Sequence, residues 1–189
     1  MTSHKFKFEE LFDVTGGWRA DDAGDIHVQG HVRMKWPAPT LTYTFAHVSG
    51  DFDAGHKGLT SLKGLPEHVG GTLYIGGNRI QNLINCSRHV GEQLWINDLK
   101  LLHSLEGMPR HVGSRVFVTW QPELPLLRSL VAPQVQLDKP HFVTQAIHER
   151  ILTCERILND SRWVGKGKLG MLNCALELKR AGLEGNASW

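Results

Sequence analysis

The sequence predicts an α+β fold, in which a short β-solenoid of about four coils is closed by an N-terminal β cap and a C-terminal two-helix cap. Three observations predict it. A stretch of 21 or 22 residues recurs between residues 48 and 118. Apolar residues two positions apart recur at the same point of each copy, and after residue 139 the apolar spacing becomes that of a helix. Self-similarity at such a period is typical of stacked repeats.

Length and chain-breaking residues divide the protein into three segments. The 189 residues suffice for one domain, or for one domain with a small appendage. We place an N-terminal β cap and a degenerate repeat at residues 1–47, the solenoid at residues 48–138, and a helical hairpin at residues 139–189. Pro140 marks the last boundary, because it interrupts the strand pattern.

The N-terminal cap is expected to cover the first coil, since an open solenoid would expose its core. Apolar residues alternate with polar ones between Trp18 and Met34, which predicts two short antiparallel strands. Residues 4–13 fit either a short strand or a helical turn. They mix charged residues with Phe6, Phe8, Leu11 and Phe12.

Aligned apolar positions give the solenoid its register. In each repeat, two of them have strand spacing, with both side chains on one face. The two resulting columns are Phe52, Leu73, Leu94 and Val116, and Ala54, Ile75, Ile96 and Val118. One such coil cannot enclose a core, so stacked coils must bury these columns together. The spacing predicts a leucine-rich repeat.

Two helices are predicted after Pro140, and the apolar face of this helical hairpin should cover the C-terminal end of the solenoid. The apolar face of the first helix comprises Phe142, Ala146, Ile147, Ile151, Cys154, Ile157 and Leu158. The second helix contains Leu169, Leu172, Ala175, Leu176 and Leu178, and Gly182 ends it. The tail from Glu184 is expected to be mobile unless Trp189 docks.

Two segments of the repeats resemble repeats of known protein families. The segment Val69-Gly-Gly-Thr-Leu-Tyr-Ile-x-x-Asn-x-Ile-x-x-Leu83 resembles the short leucine-rich repeats of secreted bacterial effectors. The segment Leu59-Thr-Ser-Leu-Lys-Gly-Leu-Pro-Glu-His-Val-Gly-Gly71 is similar to repeats in tailed-bacteriophage proteins of unassigned function, as is the helical chain end. The phage resemblance implies that the partner is a host or phage protein. It also implies an anti-CRISPR-like inhibitor of host defence, or a structural protein of the virion.

Composition narrows the classes of partner. Lys and Arg number 21 against 19 Asp and Glu, which provides no concentration of charge for nucleic acid. The three cysteines lack the spacing of a disulfide framework, so we expect reduced thiols and a cytoplasmic setting. We expect Cys86 and Cys174 to be small core residues. The start shows no signal-peptide pattern, and no stretch is apolar enough for a membrane span.

An aromatic column is the first candidate site. If Leu73 and Ile75 point inward, Tyr74 points outward, and the same alternation exposes Trp95 and Phe117. Aromatic anchors among polar residues are typical of protein interfaces, although stacked rings also stabilise adjacent strands without any partner. The predicted partner-binding surface comprises Asp53, Tyr74, Gln93, Trp95, Arg115, Phe117 and Trp120.

A histidine column is the second candidate. His47, His68, His89 and His111 each precede the valine that closes a repeat, so they should stack about 5 Å apart. Stacked imidazoles could bind a transition metal or lose stability on protonation. We favour a solvated column without metal, because ligands on a straight line do not converge.

A basic patch before the second helix is the third candidate. It comprises Arg162, Trp163, Lys166 and Lys168, which could contact a partner or RNA, although a solvated turn is favoured over a phosphate site.

Known catalytic motifs and cofactor fingerprints are missing from the sequence, so we expect neither an enzyme nor a cofactor. The predicted function is a non-enzymatic protein-binding module. The alternatives are a virion or assembly protein and, third, a metal- or nucleic-acid-dependent enzyme.

Overall fold

A computed structural model describes residues 8–189 of the chain. The chain forms a β-solenoid of about five turns, followed by two helices. The sequence predicts about four coils, and the extra turn comes from the segment predicted as a degenerate repeat. Its strands at residues 32–34 and 45–48 lie parallel to strands of the next coil. They therefore complete a coil of their own.

A seven-stranded sheet forms one wall of the solenoid. Its first two strands are antiparallel and all later neighbours are parallel. In spatial order the strands are β1 (Phe12–Val14), β4 (Val32–Met34), β6 (Phe52–Asp53), β8 (Leu73–Tyr74), β10 (Leu94–Ile96), β12 (Arg115–Thr119) and β13 (Gln134–Asp138).

A six-stranded sheet forms the opposite wall. Its antiparallel pair lies at the N-terminal end, and the remaining neighbours are parallel. In spatial order the strands are β2 (Gly17–Ala20), β3 (Ile26–Gln29), β5 (Phe45–Val48), β7 (His68–Val69), β9 (His89–Val90) and β11 (His111–Val112).

The core lies between the two sheets and consists of the predicted columns. Leu94 pairs in register with Leu73 and with Val116, and each of these side chains is fully buried. The second column, from Ala54 to Val118, is also buried. The period of the repeat therefore places equivalent side chains over one another, and the prediction of a β-solenoid is confirmed.

The buried amide of Asn78 connects two successive coils. Its Oδ1 accepts hydrogen bonds from the backbone N–H groups of Lys57 and Leu59 at 3.0 Å each. Its Nδ2 donates to the carbonyls of Ala54 and Ile75. One side chain thus satisfies four backbone groups at a bend where no strand neighbour is present.

The N-terminal cap contains both a helical turn and a short strand, the two alternatives that the sequence left open for residues 4–13. Residues 8–11 are helical, and β1 follows directly. Phe8 is fully buried, with its ring centroid 5.2 Å from that of Phe12 and 5.9 Å from that of Phe45. Phe6, assigned to the same segment, lies outside the described residues. The predicted antiparallel pair is β2 with β3.

The first C-terminal helix, α1 (Gln145–Leu158), lies along the open edge of the seven-stranded sheet. Asn159 accepts the N–H of Val135 and donates to its carbonyl, both at 2.7 Å, and Glu155 accepts the N–H of Leu137 at 2.7 Å. Polar side chains therefore replace the missing strand and block further edge pairing. Phe142, predicted on the buried face, precedes the helix and is 96% exposed. Ala146 is also exposed.

The second helix, α2 (Gly167–Arg180), buries only part of the predicted apolar set. Ala175 and Leu178 are buried together with Gly170 and Cys174, whereas Leu169, Leu172 and Leu176 are exposed. A Cβ at Gly170 would overlap the carbonyl oxygen of Trp163, so the glycine allows close packing on that side. The inward face therefore combines three small residues, Gly170, Cys174 and Ala175, with Leu178.

The chain end packs onto the cap, so the expectation of a mobile tail is wrong for Asn186 and Ala187, which are buried. Asn186 accepts a hydrogen bond from Trp120 Nε1 at 3.2 Å and donates to the carbonyls of Gln121 and Leu124 at 2.9 Å each. Trp189 is 54% exposed. Between residues 8 and 189, no helix has the length and apolar content needed to cross a membrane.

Candidate partner-binding surface

One row of side chains runs along the outer face of the seven-stranded sheet. Asp53, Tyr74, Trp95 and Phe117 occupy paired positions on β6, β8, β10 and β12. Because side chains alternate along a strand, these residues point away from the core that Leu73 and Leu94 fill. The structure therefore brings together the predicted aromatic column. We call these four residues the aromatic row.

The rings of the aromatic row lie against one another. The Trp95 centroid is 3.8 Å from that of Phe117, at 14° between planes, and 5.6 Å from that of Tyr74. The indole Nε1 of Trp95 donates to Gln93 Oε1 at 3.0 Å. Tyr74 lies over Gly55, where a Cβ would overlap its ring. Trp95 therefore has a ring on each side, and its orientation is fixed.

The C-terminal end of the row is closed by Arg115. Its guanidinium lies 5.6 Å from the centre of the Phe117 ring and donates to Gln134 and Gln136. Phe117 is only 6% exposed. It therefore supports the Trp95 ring from the side, and Tyr74 and Trp95 are the aromatic residues of the row that a partner can reach.

The N-terminal end of the row is charged. Asp53 lies 3.8 Å from the guanidinium of Arg33, its neighbour on β4. Lys35 contacts the Asp13 carboxylate at 2.9 Å in the same corner. These groups are partly or largely exposed. Charged pairs therefore lie next to the aromatic rings of the row on the same face of the sheet.

Trp120 does not belong to this surface, which corrects the sequence prediction. The alternation that turns Phe117 and Thr119 outward turns Trp120 inward, and it is 2% exposed. Its indole donates to Asn186 and lies under Arg150. The tail therefore covers this side chain, which the repeat alone would have left at an open end.

Histidines form a second row, on the outer face of the six-stranded sheet. The ring centroids of His47 and His68 are 5.0 Å apart, those of His68 and His89 are 4.4 Å apart, and those of His89 and His111 are 4.5 Å apart. His27 pairs with His47 across β3 and β5 and extends the row, which the sequence reasoning missed. Its position one residue before Val28 follows the same pattern. We call these five residues the histidine row.

The geometry of the histidine row disfavours a metal. The planes of His68 and His89 differ by 10°, so their nitrogen lone pairs run parallel instead of converging. Within residues 8–189, no group of three or more His, Cys, Asp or Glu is arranged to hold a metal ion. Burial and the charges of His68 and His111 lower the pKa of His89.

A shallow hollow of about 310 Å³ lies at the N-terminal end of this row. Its lining includes Trp18, Arg19, His27 and His47. His27 Nε2 is 3.0 Å from Asp21 Oδ2, and this hydrogen bond is the largest cause of the lowered pKa of Asp21. One imidazole of the row is therefore already paired.

The predicted basic patch is smaller than expected. Trp163 is 4% exposed and donates from Nε1 to the Ile157 carbonyl at 2.6 Å, so it belongs to the core. Arg162 stacks over that ring at 4.6 Å and pairs with Asp160 at 2.8 Å. Lys166 and Lys168 are exposed at the start of α2. Of the predicted patch, only the two lysines are therefore available to bind a phosphate, because Arg162 is already paired with Asp160.

The cysteine thiols are poor nucleophiles. Cys154 and Cys174 are fully buried, and Cys86 is partly buried against the core. Burial raises the pKa of all three thiols to about 12. The reactive form is the thiolate, so these groups are protonated at neutral pH.

Comparisons with protein-family models, curated proteins and solved structures found no match to the chain.

Proposed function

We propose that the protein is a non-enzymatic recognition module that binds another protein through the aromatic row. The observation that carries the proposal is the fixed, half-exposed pair of Tyr74 and Trp95. Their neighbours hold both rings in place before any partner arrives. Charged residues lie on one side of the pair, and amide side chains with Arg115 lie on the other.

Energetics favour such a pair as an anchor. Trp, Tyr and Arg carry much of the binding energy of known protein interfaces. Side chains that are already ordered lose little conformational entropy on binding. The hydrogen bond from Trp95 to Gln93 and the packing of Tyr74 over Gly55 provide that order. The largely buried ring of Phe117, stacked beside Trp95 on the next strand, keeps water from one face of the Trp95 indole.

The finer part of the proposal concerns the kind of protein. The leucine-rich spacing of Leu73, Ile75 and Asn78, and the resemblance to repeats of tailed-phage proteins, support a phage-type leucine-rich-repeat protein acting in the host cytoplasm. Its partner is then a host or phage protein, and inhibition of a host factor or defence system is the proposed outcome. The Asn78 amide, which joins two coils, supports the leucine-rich assignment.

Affinity capture from host lysate tests the proposal. Wild type and the double variant Tyr74→Ala/Trp95→Ala are compared with the control Trp36→Ala/Phe142→Ala, which removes two exposed rings elsewhere. The partner should be recovered by wild type and control and reduced at least about tenfold with Tyr74→Ala/Trp95→Ala, because truncating an interface anchor costs about 2 kcal/mol or more.

Equal recovery of the same protein by all three versions would reject the aromatic row as the binding site. Circular dichroism of the Tyr74→Ala/Trp95→Ala variant separates loss of binding from loss of fold. Stoichiometric amounts of the protein in purified virus particles would instead favour the structural alternative.

A further inference from the structure

The outer face of α2 carries three exposed leucines in one stripe. Leu169, Leu172 and Leu176 are 70%, 45% and 53% exposed. Their spacing of three and four residues places them on one side of the helix. Gly170, Cys174 and Leu178 lie on the opposite side of the helix and are buried. We call the three leucines the α2 stripe.

Exposed apolar side chains are concentrated in this part of the molecule. Within residues 8–189, nine large hydrophobic side chains are exposed, and six of them lie in the C-terminal cap and tail: Phe142, Leu152, Leu169, Leu172, Leu176 and Trp189. Single exposed leucines are common on any protein surface. Three in helical register form a continuous apolar strip, which is the feature that helix-binding surfaces share.

Positive charge borders the α2 stripe at both ends. Lys166 and Lys168 lie at its N-terminal end, and Lys179 and Arg180 at its C-terminal end. Arg180 pairs with Glu177 at 3.3 Å, and Glu177 is the single carboxylate of α2. Within residues 8–189, the amino groups of these three lysines make no hydrogen bond or ion pair, so they are free to donate hydrogen bonds to carboxylates of a partner.

We propose that the α2 stripe docks an acidic amphipathic helix of a partner protein. The leucines would pack between apolar side chains spaced three and four residues apart on that helix, and the lysines would pair with Asp or Glu beside its apolar strip. A second copy of this chain fits less well, because it would bring the same lysines against each other. The proposal concerns the C-terminal cap and does not depend on the aromatic row.

A displayed library of 20-residue amphipathic helices tests the charge preference. The apolar positions are held constant, and the flanking positions vary among Asp, Glu, Lys, Arg, Ser and Gln. Selection against the full-length protein should enrich Asp and Glu at the flanks. Enrichment of neutral or basic flanks, or failure to select any helix, would overturn the proposal.

Variants then locate the site. The enriched peptide should bind Leu172→Ser/Leu176→Ser at least about 30-fold more weakly than wild type by fluorescence polarisation. It should bind Leu101→Ser within about twofold, since Leu101 is 51% exposed on the solenoid. Charge reversal in Lys168→Glu/Lys179→Glu should weaken binding about tenfold and reduce its salt dependence.

Two further measurements separate other occupants. Leucine-dependent dimerisation in sedimentation would assign the α2 stripe to a second copy. Leucine-dependent binding to vesicles with 30% phosphatidylserine, without peptide binding, would assign it to an anionic bilayer. Either result would overturn the acidic-helix proposal. All the substituted side chains are exposed, and a thermal unfolding scan checks that each variant folds.

Discussion

Single asparagines satisfy backbone groups that the repeat leaves unpaired. Asn78 does so between two coils, Asn159 at the edge of the last strand, and Asn186 at the chain end. An amide suits these places because it donates and accepts at once. Apolar substitutes would leave buried carbonyls and N–H groups without partners, which costs more than the hydrogen bond itself contributes.

Asn186→Ala is expected to destabilise the fold by about 2–3 kcal/mol, because it leaves Trp120 Nε1 and the carbonyls of Gln121 and Leu124 without their partner. Urea unfolding followed by circular dichroism measures the change. The control is Asn173→Ala on the exposed side of α2, which should stay within about 0.5 kcal/mol of wild type. Equal stability of the two variants would show that the tail does not contribute.

The histidine row results from the regular pairing of strands in the six-stranded sheet. Parallel pairing in register places one imidazole per strand at centroid distances of 4.4–5.0 Å between His47 and His111. Neutral rings stack at this distance, whereas protonated rings repel one another. The same regularity that builds the sheet therefore makes one of its faces sensitive to pH.

Stability is expected to fall as the pH drops below about 6.5, the ordinary pKa of histidine. The pKa of His89 is lowered in the folded protein, so the unfolded chain binds more protons there, and acid favours unfolding. In His68→Gln/His89→Gln, the decrease in urea midpoint between pH 7.5 and pH 5.5 should shrink by roughly half. His103→Gln/His141→Gln, which alters two exposed histidines outside the row, should retain the full decrease.

The pH test has a clear negative result. A decrease of the same size in wild type and in His68→Gln/His89→Gln would mean that the carboxylates, not the histidine row, determine the acid sensitivity.

At the scale of the whole molecule, stability depends on stacking. Each coil needs the coils before and after it to bury its apolar residues, as Leu94 is buried between Leu73 and Val116. Such an array behaves as a chain of similar units with caps at its ends. Here the caps are the aromatic cluster around Phe8 and the two helices.

Removing one complete coil should therefore preserve the fold. Deletion of residues 92–113 keeps Asn78, brings Leu73 into register with Val116 and should leave one cooperative transition, with the urea m value reduced by roughly a tenth. Deletion of residues 92–102 breaks the column register and should abolish cooperative unfolding. Circular dichroism during urea titration distinguishes them. Similar behaviour of both deletions would contradict a register set by the repeat period.

The sequence alone determined the solenoid and the rows on its two faces. A period of 21 or 22 residues forces equivalent residues into neighbouring strands, so Tyr74 and Trp95, or His68 and His89, had to lie side by side.

Only the tertiary structure decided the end caps. Trp120 and Trp163 are core residues, and Asn186 fixes the tail to the cap. Helix α2 buries Gly170, Cys174, Ala175 and Leu178 and leaves Leu169, Leu172 and Leu176 exposed. The physical reason is that a repeat packs against copies of itself, whose spacing the sequence shows. A cap packs against a surface from a distant part of the chain, and that surface decides which helix face fits.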